Sequence, residues 1–374
     1  MTDDQQWQAP GQASVPPAAP APPPPTAAPG WTPPPRPGLV PLRPMTLGTI
    51  LGGAFQTLRR NPSATLAPAL ILTVAVAVIQ VVTSTGFLAS YFGAIADLGN
   101  GADQTFDPNS VLSPFLGYAL TTLASGLLTL VVTAIIEAIV TMQVASSTLG
   151  ARLRLRGLWR RLRGRRGAVL GWAGLNAAAA VLTIGIVILG LVGIGLTGAA
   201  GAVIAVLLGF LLGAGLIVVF CWLWVKLGFV PAAIVLERTS ILASMRRSWR
   251  LTTGAFWRIF GIRLLVVVIV TVATSIITAP ISLLIELGSF VLQPNGSPES
   301  ALTGALIAST VATQAVTAVI SAVGLVITTA TTALLYLDQR MRQEGLDLDL
   351  ARFVERRAAG EQGLADPYLL KPAA

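Results

Sequence analysis

The chain has 374 residues, 54% of them hydrophobic and only 11% charged, with a mean hydropathy of +0.75. A soluble globular protein carries about 25% charged residues, so this composition argues against a water-soluble domain. Histidine is absent and Cys221 is the only cysteine, which excludes a histidine base, a histidine metal ligand and an internal disulfide.

Residues 1–44 hold 15 of the 25 prolines, including the runs Pro22–Pro25 and Pro33–Pro35. They read as a disordered Pro/Ala-rich tail in extended polyproline form, serving either as a spacer or as a ligand for a proline-binding protein partner. No apolar stretch of signal-peptide type follows a basic start. Residues 45–337 read as a membrane domain of six helices, near 64–93, 114–146, 168–192, 202–227, 260–288 and 302–336. Each is long enough for a bilayer, which needs about 20 apolar residues. Gly167 to Val225 carries no charge at all, and a turn at Gly193–Gly201 divides it into two spans. Residues 338–374 form a C-terminal tail. In it Gly345 ends the last long helix and a second helix runs from Asp347 to Ala358. Arg340 and Arg342 are placed to touch lipid phosphates, and Asp347 and Asp349 to pair with the arginine-rich segment 151–166.

The net charge of +9 has its meaning in its position. Arg36, Arg43, Arg59 and Arg60 precede the first span, and eight arginines crowd Arg152 to Arg166. Seven basic residues lie between Lys226 and Arg263, and six follow the last span. The other three connections carry only Asp97, Asp103, Asp107 and Glu299. The positive-inside rule then predicts a multi-pass bacterial cell-membrane protein with both termini in the cytoplasm.

A short amphipathic helix is expected on the cytoplasmic face before each hairpin, a weak threefold repeat. The first carries Leu47, Leu51, Ala54, Phe55 and Leu58. The second carries Leu155, Leu158, Trp159 and Leu162, with arginines around them. The third carries Leu242, Met245 and Trp249, with Arg246, Arg247 and Arg250 opposite. An apolar stripe in the headgroup boundary with arginines facing phosphates is the pattern of interfacial helices. Arg152, Arg154, Arg156, Arg160, Arg161, Arg163, Arg246, Arg247 and Arg250 are therefore the candidate anionic-lipid contacts, with plain topology determination as the alternative.

Within the spans, Glu137 is the most informative residue. A charge at a helix centre costs about 2.5–3.5 kcal/mol on insertion scales, so it needs a partner, a proton or a wet cavity. Lys226 and Arg263 are its candidate partners. Glu286 lies near the outer end of its helix, Pro280 is expected to kink that helix, and Gly209 and Gly213 form a GxxxG pair for close packing. No phosphate-binding glycine loop, CxxC pair or paired-carboxylate constellation is present, and no catalytic residue, metal or cofactor is expected.

Three stretches carry a family resemblance. PLRPMTLGTILGGAFQTLRRNP (41–62), VLERTSILASMRRSWRLTTGAFWRIFGI (235–262) and LLYLDQRMRQEGLDLDLAR (334–352) resemble the opening, central and closing segments of the glycerophosphoryl diester phosphodiesterase membrane-domain family. The resemblance spans roughly 41–357 and implies a six-helix integral membrane protein common in actinobacteria. It implies no activity here, because the phosphodiesterase barrel of that family's fusions uses histidine and a metal, and this chain has no histidine. The expected function is non-enzymatic: contact with anionic lipids or organisation of the membrane and envelope. The alternatives are a transporter or channel with Glu137 in its pathway, and an anchor that recruits cytoplasmic partners through its tails. Nothing points to nucleic acid.

Overall fold

The computed structural model describes residues 43–100, 108–150, 157, 160, 162–195, 197–292 and 298–369. Almost all of the proline-rich tail, Asp103, Asp107 and most of the arginine-rich stretch 151–161 lie outside them. Among the described residues every regular element is a helix. They are α1 (Leu47–Arg60), α2 (Pro62–Asn100), α3 (Pro108–Thr148), α4 (Arg166–Gly195), α5 (Ala199–Lys226), α6 (Ile241–Thr252), α7 (Phe256–Leu292), α8 (Pro298–Glu344) and α9 (Leu346–Ala358). Six of them, α2 to α5, α7 and α8, contain stretches long and apolar enough to cross a membrane.

In the hairpins α2–α3, α4–α5 and α7–α8 the start of the first helix and the end of the second meet at one end of the bundle, where Met45 bonds Asp338, Arg165 bonds Thr239 and Tyr368 bonds Ala145, and the basic residues of these six helices lie near those ends. That end is called the basic end below. Helix α8 is the most buried span. Small residues let its neighbours approach: Ala318, Ala322 and Ala330 are buried along one stripe, with Val326 between them. Thr73 of α2 also donates across to the Ala318 carbonyl at 3.3 Å. At the other end, Phe87 and Tyr91 of α2 meet Phe115 of α3, and the Phe87 and Tyr118 rings lie 4.4 Å apart, tilted by 33°.

Helices α4 and α5 stand at the periphery. Their buried residues are confined to Val169, Trp172 and Ala173 at the start of one, and Gly201 and Val225 near the ends of the other. Between these the apolar side chains are open, Phe210 by 83%. A surface of leucine, isoleucine and phenylalanine of this extent suits hydrocarbon, not water. Of the GxxxG pair, Gly209 faces Leu191 of α4 and Gly213 faces open space.

In the two described amphipathic helices part of the apolar stripe faces outward, as an interfacial helix requires, while the polar face of α6 turns into the protein. Helix α1, capped by Thr46 through the Thr49 amide, buries Ile50, Gly53, Ala54 and Thr57 and leaves Leu47 and Phe55 exposed. Helix α6 buries Ser244, Arg247, Ser248, Leu251 and Thr252, while Leu242 and Trp249 face outward. The reason is in their partners. Ser248 donates to the Lys226 carbonyl at 2.6 Å and accepts from the Phe229 amide at 3.2 Å. Unpaired backbone groups at the end of α5 need polar partners more than Trp249 needs burial. Trp249 instead packs edge-on against Trp222 at 5.1 Å, at the rim where amphipathic rings settle.

Candidate functional site

The link from α5 to α6 prepares the site. After Lys226 the chain turns through Leu227–Phe229, makes one helical turn, and then widens into a π-helical turn, Ala233–Glu237, all of it buried. Such a turn inserts an extra residue and re-aims the side chains that follow. Here it drives Glu237 into the bundle and leaves Arg238 on the surface.

The Glu237 carboxylate is fully buried. Arg247 of α6 binds it edge-on, with Nε at 3.0 and 2.9 Å from the two oxygens and Nη2 at 2.8 Å from Oε1. The Tyr336 hydroxyl donates to Oε1 at 2.5 Å, and Arg340 Nε stands 3.4 Å from the same atom. Glu344 closes the far side, accepting from Arg247 Nη2 at 2.6 Å and from Arg340 Nε at 3.1 Å. Two carboxylates and two guanidiniums thus cancel in charge. Burial alone would lower the proton affinity of Arg247. The hydrogen bonds and charges of Glu237 and Glu344 outweigh it and hold this guanidinium above its ordinary range.

A second cluster lies one face around α8. Asp338, also fully buried, accepts from Arg258 at 2.7 Å, from Arg342 at 3.1 Å and from the Met45 amide at 2.7 Å. Arg258 and Arg342 each also donate to the Met45 carbonyl, at 3.1 and 2.9 Å. The chain entering α1 is therefore tied to the end of α8. The C-terminal segment returns as well. The carbonyl of Tyr368 accepts from Arg340 at 2.9 Å, and its hydroxyl donates to the Ala145 carbonyl of α3 at 2.8 Å. Burial pushes this phenol above its usual range, so it keeps its proton for that bond.

The predicted intramembrane group is only partly assembled. Glu137 on α3 and Arg263 on α7 act on each other electrostatically, with neither a hydrogen bond nor an ion pair between them. Arg263 is buried and donates to the Trp224 carbonyl, with its guanidinium 3.9 Å from the Trp224 ring centre, and its Nε has no partner. A Cβ at Gly228 would overlap this guanidinium, so only glycine allows the arrangement. Lys226 lies elsewhere, its ammonium 5.1 Å from the Trp249 ring centre. Double-mutant cycles test the coupling. Glu137→Leu and Arg263→Met should each destabilise the protein, and the double variant should lose at least 0.5 kcal/mol less than the sum, about the smallest coupling seen for interacting residues. Strict additivity would show that the two charges are independent.

The candidate lipid contacts divide. Arg152, Arg154, Arg156 and Arg161 lie outside the described residues. Arg160, Arg163 and Arg246 are exposed, and Arg250 is exposed with a loose 3.9 Å contact to Glu344. Arg247 is a correction: it is 6% exposed and occupied by Glu237 and Glu344, because it sits on the inward face of α6. Arg340 and Arg342 are likewise committed to carboxylates. Helix α9 begins at Leu346, one residue before the expected start, after a left-handed Gly345 (φ 66).

Sequence reading passed over Glu237, Tyr336, Asp338, Glu344 and Tyr368 as members of a site. A signal was there: Tyr336, Arg340 and Glu344 repeat at four-residue spacing, as do Asp338 and Arg342, so the last turns of α8 carry two charged faces. The residues that form both clusters, Met45, Glu237, Arg247, Arg258 and the 336–344 set, all fall within 41–62, 235–262 and 334–352.

No match was found among curated proteins or among solved structures. Residues 45–338, whose end residues are the hydrogen-bonded Met45 and Asp338, match the sequence model of a family described as a domain of unknown function, DUF7847. The match covers well over half of the chain, which therefore belongs to the DUF7847 family.

Proposed function

We propose that this is a non-enzymatic, multi-pass protein of a bacterial cell membrane, with both termini in the cytoplasm, that works through anionic lipids at its basic end. The observation that carries the reading is how the arginines are sorted there. Arg247, Arg258, Arg340 and Arg342 neutralise buried carboxylates. Arg59, Arg60, Arg160, Arg163 and Arg246 are exposed, with no ion pair among the described residues. Beside them Phe55, Leu242, Trp249 and Trp257 point outward. Free cations next to exposed aromatic and aliphatic side chains, at the ends of apolar spans, match the headgroup layer of an anionic leaflet. The resemblance to the phosphodiesterase-associated membrane domain supports the membrane architecture and adds no catalytic role.

The test is lipid analysis of the protein extracted from its own membranes in mild detergent. The retained lipid should be enriched in anionic glycerophospholipid over the bulk membrane. A retained mixture identical to the membrane would overturn the proposal. One observation favours transport as a second reading: the unpartnered Nε of buried Arg263 near Glu137. In that case Glu137→Gln should abolish an uptake phenotype while the protein still folds.

A further inference from the structure

Arg238 has φ 56 and ψ 33, and is the one non-glycine residue with positive φ among the described residues. A left-handed backbone is strained for a side-chain-bearing residue, and glycine would take it at less cost. The side chain is exposed and forms no hydrogen bond or ion pair among the described residues. The fold therefore gains nothing local from an arginine at this position.

This residue lines an open cleft of about 520 Å³ together with Arg160, Gly164 and Arg165. Arg165 is steadied by a 3.3 Å hydrogen bond from its Nη1 to the Thr239 carbonyl. None of the three guanidiniums meets a carboxylate among the described residues. Gly164 and Arg165 immediately precede α4, so the positive end of a 30-residue helix dipole lies against the same space. Guanidinium forks and a helix N-terminus together select a phosphate group. The cleft also sits where α4 begins and after α5 ends, which on the lipid reading above is the headgroup layer.

A second cavity identifies the source of the phosphate. An apolar groove of about 80 Å³ is lined by Ile135 and Ala138 of α3, by Arg166, Val169 and Leu170 of α4, and by Leu162. Leu162 and Arg166 alternate along the chain with the residues of the basic cleft. A free phosphate has no use for this groove, whereas a few methylenes of an acyl chain fit it.

We propose that the Arg160–Arg165–Arg238 cleft holds the phosphate of one anionic phospholipid, with a short part of one acyl chain against the groove between α3 and α4. The proposal rests on the lipid reading above and narrows it to one site. Native mass spectrometry of the full chain, titrated with phosphatidylglycerol or phosphatidylcholine, tests it. The unmodified protein should retain one phosphatidylglycerol in preference to phosphatidylcholine. Arg238→Gly should weaken that binding about fivefold, and Arg160→Gln with Arg238→Gly about 25-fold, taking each basic residue near an anionic surface at its usual worth. The melting temperature of Arg238→Gly should stay level or rise, because backbone strain is relieved. Undiminished phosphatidylglycerol binding in both variants would overturn this site and leave the general lipid reading standing. Equal binding of the two lipids by the unmodified protein would overturn both. Displacement of the bound lipid by inorganic phosphate would assign the cleft to free phosphate and overturn the lipid assignment.

Discussion

Glu237→Ala is expected to lower stability by about 3–5 kcal/mol, the usual loss when one member of a buried ion pair is removed. The variant leaves Arg247 and Arg340, both at most 6% exposed, facing Glu344 alone, and it strips the Tyr336 hydroxyl of its acceptor. Unfolding in mixed micelles measures the loss. Glu237→Gln should lose less than Glu237→Ala, since it keeps the volume and one acceptor. Glu237→Leu combined with Arg247→Leu should lose much less than the sum of the single changes, because Arg340 and Glu344 then remain as a balanced pair. A loss under about 1 kcal/mol for Glu237→Ala would place this network among surface ion pairs.

Asp338→Ala is expected to lose about 1–3 kcal/mol, the cost of a buried donor left without its acceptor. The loss is smaller than at Glu237 because Arg258 and Arg342 are 34% and 41% exposed and can turn to water. The Met45 amide, in a residue 1% exposed, cannot. This change should act locally as well. Met45 is the last fixed point before α1, so amide exchange across Leu47–Arg60 should quicken in Asp338→Ala and stay unchanged in Glu237→Ala variants that still fold. Equal exchange of α1 in the Asp338 variant and the unmodified protein would show that the tether does not hold this helix.

The contrast between these residues shows what a sequence reveals here. The six apolar helices were legible because a bilayer demands about 20 uncharged residues, and little in a chain can mimic that. The helix break at Gly345 was legible for a similar reason, since local backbone chemistry decides it. The burial of the polar face of α6 was not. Hydrophobic periodicity correctly puts Leu242 and Trp249 on an outward stripe, but it assumes that every arginine opposite them reaches phosphate or water. Arg247 and Ser248 turn inward instead, because the Lys226 carbonyl at the end of α5 and the buried Glu237 carboxylate have no water to satisfy them. Glu237 itself was hidden by its setting. It follows an apolar run and precedes Arg238, which reads as an ordinary solvated pair at a helix end. Only the π-helical turn separates the two side chains, one into the bundle and one out of it. Glu137 was conspicuous as a charge in an apolar run, and that conspicuousness drew attention away from the charges at the helix ends, where the dense network lies.

Everything proposed about lipid depends on one placement: six spans, with the basic end on the cytoplasmic side. Thiol labelling in intact cells tests it directly. In a Cys221→Ala background, single cysteines at Thr105→Cys and Ser297→Cys should react with a membrane-impermeant maleimide. Arg156→Cys and Arg352→Cys should react only after the cells are opened. Labelling of Arg156→Cys from outside would put the arginine-rich segment on the wrong face of the membrane and contradict the account.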